Sequence, residues 1–303
     1  MTAEKLVSVI MPVYNGQRFI GEAIQSVLSQ TYADFELIIV DDGSTDTTKP
    51  VVENFLTLDP RIRYFYQENG KQGKARNKGM ENSRGDLIAF LDADDVWLPD
   101  FLEQQLFYIN TCGSDMVFSL VGFIDEESTI LEGRTDLIQR DFHGISGIKA
   151  LLQGNCIPIL TVLARRLAII KAGTFSESAV LQYGEDYRLW LNMLKTGSTL
   201  SCNYKVLAYY RRHAAQSSKV AILKYMQMIR IIKDVDSAGI EREKNQAIKI
   251  WLKRYMYSKE MTGRKIRSVQ QFFPSRTIGI FLQPASYFLS PKIIRAILTI
   301  LYF

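Results

Sequence analysis

Leu37-Ile38-Ile39-Val40-Asp41-Asp42-Gly43 is a run of four apolar residues cut off by two aspartates and a glycine. An unbroken apolar run of this length suits a strand buried on both faces, and an Asp-Gly pair stops it with a turn. Toward the N-terminus, Ile20, Ala23, Ile24, Val27 and Leu28 recur at the spacing of one helix face. Before them Val7–Met11 is a short β-rich run that ends at Pro12. Toward the C-terminus, Val51, Val52, Phe55 and Leu56 predict a helix with Pro50 near its first turn. Ile62–Tyr66 reads as a third strand, Ala75–Asn82 as a short helix, Arg84-Gly85-Asp86 as a turn, and Leu87–Leu91 as a fourth strand ending at Asp92. Strands that alternate with helices imply an α/β fold with a doubly wound, mostly parallel sheet. Ligands of such sheets bind beyond the carboxyl ends of the strands. Tyr14-Asn15, Asp41-Asp42 and Asp92–Asp95 all fall there.

The pattern loosens after Asp115. Met116–Ile124 reads as a longer strand and Asp125–Phe142 as a polar excursion. Ile148–Leu152 and Arg166–Lys171 read as helical, Glu185–Thr196 as a short helix carrying Leu189, Leu191 and Leu194, and Leu207–Arg212 as a strand. Beyond Ser218 strands disappear, and Ile222, Met226, Ile229 and then Ile248, Trp251, Leu252, Tyr255 make two helical stripes. Three regions are expected: 1–110, 111–218 and a helical C-terminal extension, 219–303.

Apolar residues make up 47% of the 303 residues, enough for a sizeable core. Residues 1–200 carry 18 Lys and Arg against 27 Asp and Glu, a net of −9, whereas residues 201–303 carry 19 against 5, a net of +14. An acidic body with a basic tail predicts that the tail meets something anionic. Cys112, Cys156 and Cys202 are an odd count with no CxxC spacing, which argues against a disulfide framework or zinc site and fits a reducing compartment. The first residues lack the pattern of a signal peptide, and no stretch of about 18 apolar, uncharged residues predicts a spanning helix. A cytoplasmic location is expected.

Asp92-Ala93-Asp94-Asp95 places three carboxylates in four residues just past a buried strand. Such charges repel, and unpaired in a cleft they are costly or protonated. Mn²⁺ or Mg²⁺ relieves the conflict, because these ions take one or two protein carboxylates and leave positions for diphosphate oxygens. A helix cap explains one of the three aspartates, not all. Asp41-Asp42-Gly43-Ser44-Thr45-Asp46 reads alone as a turn with a capped helix, and beside Tyr14-Asn15 it offers a carboxylate to a base or ribose.

The four stretches Val7–Gly16, Val40–Asp46, Asn69-Gly70 with Ala75-Arg76-Asn77, and Phe90–Asp95 together resemble family 2 glycosyltransferases, inverting enzymes of the GT-A fold. Gly173-Thr174-Phe175, Gly184-Glu185-Asp186-Tyr187 and Tyr210-Arg211-Arg212-His213 extend the resemblance over about residues 5–218. It implies transfer of a sugar from a nucleotide-sugar, most often a UDP-sugar, to an acceptor hydroxyl in the making of a cell-surface polysaccharide or glycolipid. By the same resemblance Pro12, Tyr14 and Asp42 would hold the nucleoside, Asp92 would face the ribose or a bridging water, Asp94 would bind the metal, and Arg76 would lie near the donor sugar or diphosphate. Asp95 is an extra acid beside the family's DxD. The sequence departs from the family at Gln72-Gly73-Lys74, where smaller residues are common.

Glu185-Asp186 resembles the family's acidic pair on the acceptor side. Inverting transfer needs a base within reach of the acceptor hydroxyl, opposite the leaving group, and Asp186 is the expected one. A helix N-terminus acidic for its dipole is the plainer reading of the same pair. Arg211 or Arg212 would neutralise the leaving nucleotide, Arg211 being the first choice, and His213 would be a further metal or phosphate ligand. A solvated basic strand end is the alternative there. His143 reads as a surface residue.

The tail joins its charge to Phe272-Phe273, Phe281, Tyr287-Phe288 and an apolar face of Ile294, Ile297, Leu298 and Leu301. A peripheral contact with an anionic membrane is expected, in keeping with a saccharide or lipid-linked acceptor; packing on the core is the other reading. Nucleic acid is not an expected partner, since no recognition motif accompanies the charge. A nucleotidyltransferase is disfavoured, because Val13-Tyr14-Asn15-Gly16 stands where it needs a Gly-rich basic loop. A non-catalytic nucleotide-sugar-binding or scaffold protein of the same fold remains the alternative, opposed by the presence of both Asp94 and Asp186.

Overall fold

The computed structural model describes residues 6–135, 141–178, 181, 183–214, 221–236 and 238–257. The strands are β1 Val7–Val13, β2 Phe35–Asp41, β3 Ile62–Tyr66, β4 Leu87–Phe90, β5 Val96–Trp97, β6 Met116–Ile124, β7 Ile130–Arg134, β8 Leu163–Arg165 and β9 Leu200–Arg211. The helices are α1 Ile20–Leu28, α2 Thr48–Leu56, α3 Lys71–Glu81, α4 Phe101–Cys112, α5 Gly144–Leu151, α6 Arg166–Lys171, α7 Glu185–Lys195, α8 Ala221–Asp234 and α9 Glu241–Tyr257. The chain divides into two compact units, Met1–Gln216 and Ser217–Phe303.

In the first unit one sheet runs in the order β3-β2-β1-β4-β8-β6-β9-β5, with β7 paired to β6. The four N-terminal strands are mutually parallel, as alternation with helices requires. The other half is mixed: β8 runs antiparallel to both β4 and β6, while β6 and β9 are parallel. Val7, Val9, Met11 and Val13 share a core with Ile20, Ala23, Ile24 and Val27 of α1 and with Phe101, Leu102 and Ile109 of α4. The opposite face receives α3, whose Gly79 leaves no room for a side chain: a Cβ there would stand 2.5 Å from Ile10 Cγ2. Helices therefore cover both faces.

Several boundaries differ from the sequence reading for identifiable reasons. Pro12 lies inside β1, in register with Val40, rather than ending it. Ile10 O accepts from Leu91 N on the β4 side, and β4 pairs no residue of β1 beyond Ile10. Pro12 faces that same side one step further on, so its missing N–H breaks no ladder bond. Helix α3 begins at Lys71, four residues before Ala75. Strands β5 and β8, the edge strand β7 within the polar excursion, the first half of β9 and helix α4 were not anticipated.

In the second unit Met228, Ile229, Ile231 and Ile232 of α8 are buried, as are Ala247, Trp251 and Leu252 of α9. The rings of Tyr225 and Trp251 lie 6.0 Å apart. The aromatic and apolar residues from Phe272 to Phe303, and with them the expected membrane-facing helix, lie outside the described residues. Among the described residues no helix is long and apolar enough to cross a membrane.

Candidate active site

The loops after β1 and β2 are laced together. Asn15 N donates to Ser44 Oγ at 2.9 Å, Thr45 N to Asn15 Oδ1 at 2.8 Å, Gly16 N to Thr48 Oγ1 at 2.8 Å and Thr47 N to Gln17 Oε1 at 3.0 Å. Asn15 adopts φ +51°, a left-handed conformation that asparagine tolerates better than most residues. The Ser44–Thr48 run thus fixes the mouth of two strands, where Pro12 is buried and Tyr14 is 55% exposed.

Asp42 is buried, and its carboxylate accepts three hydrogen bonds: from Gln67 Nε2 at 2.7 Å, Gly70 N at 2.8 Å and Lys71 N at 2.9 Å. The last two are free amides at the start of α3, so Asp42 caps that helix from another strand end. Next to it, Asp41 accepts from Ser44 N and from the Tyr64 hydroxyl, both at 2.7 Å.

Beyond β4 the acidic loop meets α3 and α7. The Arg76 guanidinium is buried and donates from Nη2 to Asp92 Oδ1 at 2.7 Å and from Nη1 to Glu185 Oε1 at 2.5 Å. Burial alone would weaken its hold on the proton, but the charges of Asp92 and Glu185 more than reverse this. Glu185 Oε2 and Asp95 Oδ2 are buried without a hydrogen-bond partner. Burial, reinforced by Asp186, pushes the Glu185 carboxyl up to about 7 against the pull of Arg76. Burial and Asp94 raise Asp92 although Arg76 opposes them, and burial with Asp94 and Asp92 holds Asp95 well above the usual carboxylate range. Asp186 is half-buried; its Oδ2 accepts from Asn155 Nδ2 at 3.0 Å and its Oδ1 from Tyr187 N at 2.6 Å.

At the end of β9, His213 Nε2 lies 2.9 Å from Asp94 Oδ2, so the two residues expected to hold a metal are neighbours. Arg211, expected beside the leaving nucleotide, is held by protein partners. Its side chain is buried, with Nε on Asp94 O, Nη1 on Asp125 O and Ser128 Oγ, and Nη2 on Glu22 Oε2. It faces the interior beneath the acidic loop. Arg212 is the exposed arginine of the pair, its guanidinium 3.7 Å from the centre of the Phe123 ring.

An aspartate and a histidine in contact are compatible, by residue type and spacing, with two ligands of a divalent cation. Adjacent ligands of an octahedral ion with metal–oxygen distances of about 2.1 Å stand about 3 Å apart, which is the separation of Asp94 Oδ2 and His213 Nε2. Among the described residues no group of three or more His, Cys, Asp or Glu side chains that could hold a metal ion is found, so the pair alone would contribute two ligands. Sequence reading passed over Asn155 and Glu22, single polar residues with no motif around them. Only their partners, 31 residues away at Asp186 and 189 residues away at Arg211, give them meaning.

Comparison with known proteins adds a second line. Residues 8–167 match the profile of Glycosyl transferase family 2. A Bacillus subtilis protein that carries the name of a teichuronic acid biosynthesis glycosyltransferase, TuaG, is 33% identical over 209 residues, 68% of this chain and 79% of its own. TarS residues 1–349 of S. aureus, crystallised with UDP-GlcNAc, superimpose with a TM-score of 0.63 at 18% identity, covering 88% of this chain and 82% of that one. The mannosyltransferase PcManGT of Pyrobaculum calidifontis, in complex with GDP-Man and Mn²⁺, gives 0.61 at 13% identity over 99% of this chain and 88% of its own. The fold is GT-A.

Proposed function

The chain belongs to glycosyl transferase family 2, and we propose that it transfers a sugar, with inversion, from a UDP-sugar to a hydroxyl of a saccharide or lipid-linked saccharide in cell-surface polysaccharide or glycolipid synthesis. One observation carries this reading. Arg76 bonds Asp92, 16 residues away, and Glu185, 109 residues away, which joins the acids beyond β4 to those that open α7. A donor-side and an acceptor-side acid are then neighbours across one buried guanidinium. TuaG's name supports the polysaccharide context and the TarS complex supports UDP.

In this reading residues 1–110 bind the donor and residues 111–218 the acceptor. Pro12, Tyr14 and Asp42 cradle the nucleoside; the exposed Tyr14 ring suits stacking on the base, and Asp42 keeps the α3 start in place while facing it. Asp92 orients the ribose or a bridging water, and Arg76 neutralises charge on the donor side. Asp94 and His213 would hold Mn²⁺ or Mg²⁺, whose Lewis acidity would stabilise negative charge on the departing diphosphate. Asp186 accepts the proton of the acceptor hydroxyl. That oxygen bonds to the anomeric carbon from the face opposite the nucleotide as the carbon–phosphate-oxygen bond breaks. Asn155 and Tyr187 N fix the Asp186 carboxylate and leave it lone pairs for this proton.

The test is UDP release from a panel of UDP-sugars with Mn²⁺, then with EDTA. Loss of release in EDTA and in Asp94→Ala and Asp186→Asn is expected; unchanged release in both variants refutes the site. We place the protein peripherally at the cytoplasmic face of the membrane, on the strength of the net +14 of residues 201–303 together with the apolar residues of its end, Phe281, Tyr287-Phe288, Ile294, Ile297, Leu298 and Leu301, which join the basic charge. Flotation with anionic vesicles, lost in a chain ending at Ser275, checks this, and equal flotation of the two refutes it.

A further inference from the structure

Arg211 is one of the largest fully buried side chains, with 0% exposure, and its hydrogen bonds reach three other segments of chain. Nε donates to Asp94 O at 2.9 Å, inside the acidic loop. Nη1 donates to Asp125 O at 3.0 Å and Ser128 Oγ at 2.8 Å, in the turn between β6 and β7. Nη2 donates to Glu22 Oε2 at 2.6 Å, on α1. Its own backbone N–H donates to Asp95 Oδ1 at 2.9 Å, and the next amide, Arg212 N, donates to Ile124 O at 2.8 Å.

Two details show that this assembly is built and not incidental. Ser128 holds φ +64°, a conformation costly for a residue with a side chain, and its hydroxyl both accepts from Arg211 and donates to Glu22 at 2.8 Å. Phe19 lies with its ring 4.8 Å from the Arg211 guanidinium and 4.8 Å from the His213 ring, so one side chain supports both residues. Arg211 and Phe19 thereby grip the two arms that bring Asp94 Oδ2 and His213 Nε2 together: the Asp94 backbone on one side, the end of β9 on the other.

We propose that Arg211 is a positioning residue that sets the Asp94–His213 pair and through it the affinity of the cation site, and that it is not a ligand of the diphosphate. The inference rests on the reading of Asp94 and His213 as the metal-holding pair. The planar fork of an arginine serves donors in several directions at once; a lysine ammonium is a single point and cannot replace it. Groups that orient metal ligands without touching the metal typically change metal affinity by roughly 10–100-fold when removed.

Three full-length variants test it: Arg211→Lys, Glu22→Gln and Ser128→Ala. Glu22 is 43% exposed at its side chain, so Glu22→Gln reports on the same network even if Arg211→Lys fails to fold. Mn²⁺ affinity is read by electron paramagnetic resonance in the presence of UDP, and UDP affinity separately by calorimetry in EDTA. A Mn²⁺ dissociation constant raised roughly 10–100-fold in Arg211→Lys and in the same direction in the other two, with UDP affinity in EDTA unchanged, is the expected result. Unchanged Mn²⁺ affinity in the folded variants overturns the proposal. So does a loss of UDP affinity in EDTA in Arg211→Lys, because that marks a direct diphosphate contact. Failure of the wild-type protein to bind Mn²⁺ overturns the metal reading itself, a result distinguishable from the other two.

Discussion

Glu185→Gln should make the protein's stability less dependent on pH, and the size of the change follows from the site. Glu185 is 4% exposed, with one oxygen on Arg76 and the other without a partner. Burial lifts its carboxyl from 4.5 to about 7. The folded protein therefore holds this proton more tightly than the unfolded chain. The resulting stability is complete below about 4.5 and is lost as the pH rises through about 7. At about 1.4 kcal/mol per pH unit, the interval corresponds to about 3 kcal/mol. Glutamine keeps the size and an acceptor for Arg76 but carries no titrating proton, so the variant should gain about 3 kcal/mol on wild type between pH 4.5 and pH 8. Asp92 and Asp95, also raised, are present in both proteins and largely cancel in the difference. For a domain of about 200 residues this is a relative gain in Tm of roughly 6–12 °C. Thermal melts of both proteins across that pH range, without metal or nucleotide, make the measurement. A Tm difference that stays constant from pH 4.5 to pH 8 would refute the account of Glu185 as a buried, proton-holding carboxyl.

Gly73→Ala should destabilise by about 1–3 kcal/mol in urea unfolding, because the new Cβ would stand 2.3 Å from Ser176 O and 3.6 Å from Glu185 Cβ; a neutral effect would show that the segment after Phe175 yields freely. Tyr64→Phe should cost about 1–2 kcal/mol by depriving the buried Asp41 Oδ2 of its 2.7 Å donor, and equal urea midpoints would refute it. Asn155→Ala should lower kcat by about 10- to 100-fold while leaving the donor KM unchanged, since it releases the Asp186 carboxylate and nothing on the donor side. A rise in donor KM with kcat intact would remove Asn155 from that role.

What the sequence made legible follows length and locality. Met116–Ile124 and Arg166–Lys171 were expected with the boundaries they have, and the α1 face of Ile20, Ala23, Ile24 and Val27 is fully buried. These runs carry their periodicity within themselves. Strands β5 and β8 have two and three residues, too few to show a period, and they exist because β9, β4 and β6 pair with them. The start of α3 was invisible for a different reason. Its cap is Asp42, 28 and 29 residues upstream of the amides it accepts, so no local signal could mark it. The site divides in the same way. The acidic strand ends could be read from residue type, and the 2.9 Å meeting of Asp94 with His213 brings together two residues singled out separately. Arg211 and Arg212 could not be told apart, because neighbours on a strand point to opposite faces and only the register of β9 decides which one turns inward.

That register has an energetic consequence for the acidic loop. A buried guanidinium is expensive, and a well-packed apolar residue often stabilises a core as well or better. This protein nevertheless encloses two, Arg76 and Arg211, among its largest fully buried side chains. They hold the same four-residue loop from opposite sides: Arg76 through the Asp92 carboxylate, Arg211 through the Asp94 carbonyl and, by its backbone, Asp95. Each is anchored in turn to an acid on a helix, Glu185 on α7 and Glu22 on α1. Asp94 is the acid of the loop whose carboxylate reaches His213. Burying two cations is thus a poor way to stabilise a core and an effective way to immobilise the loop that carries Asp94.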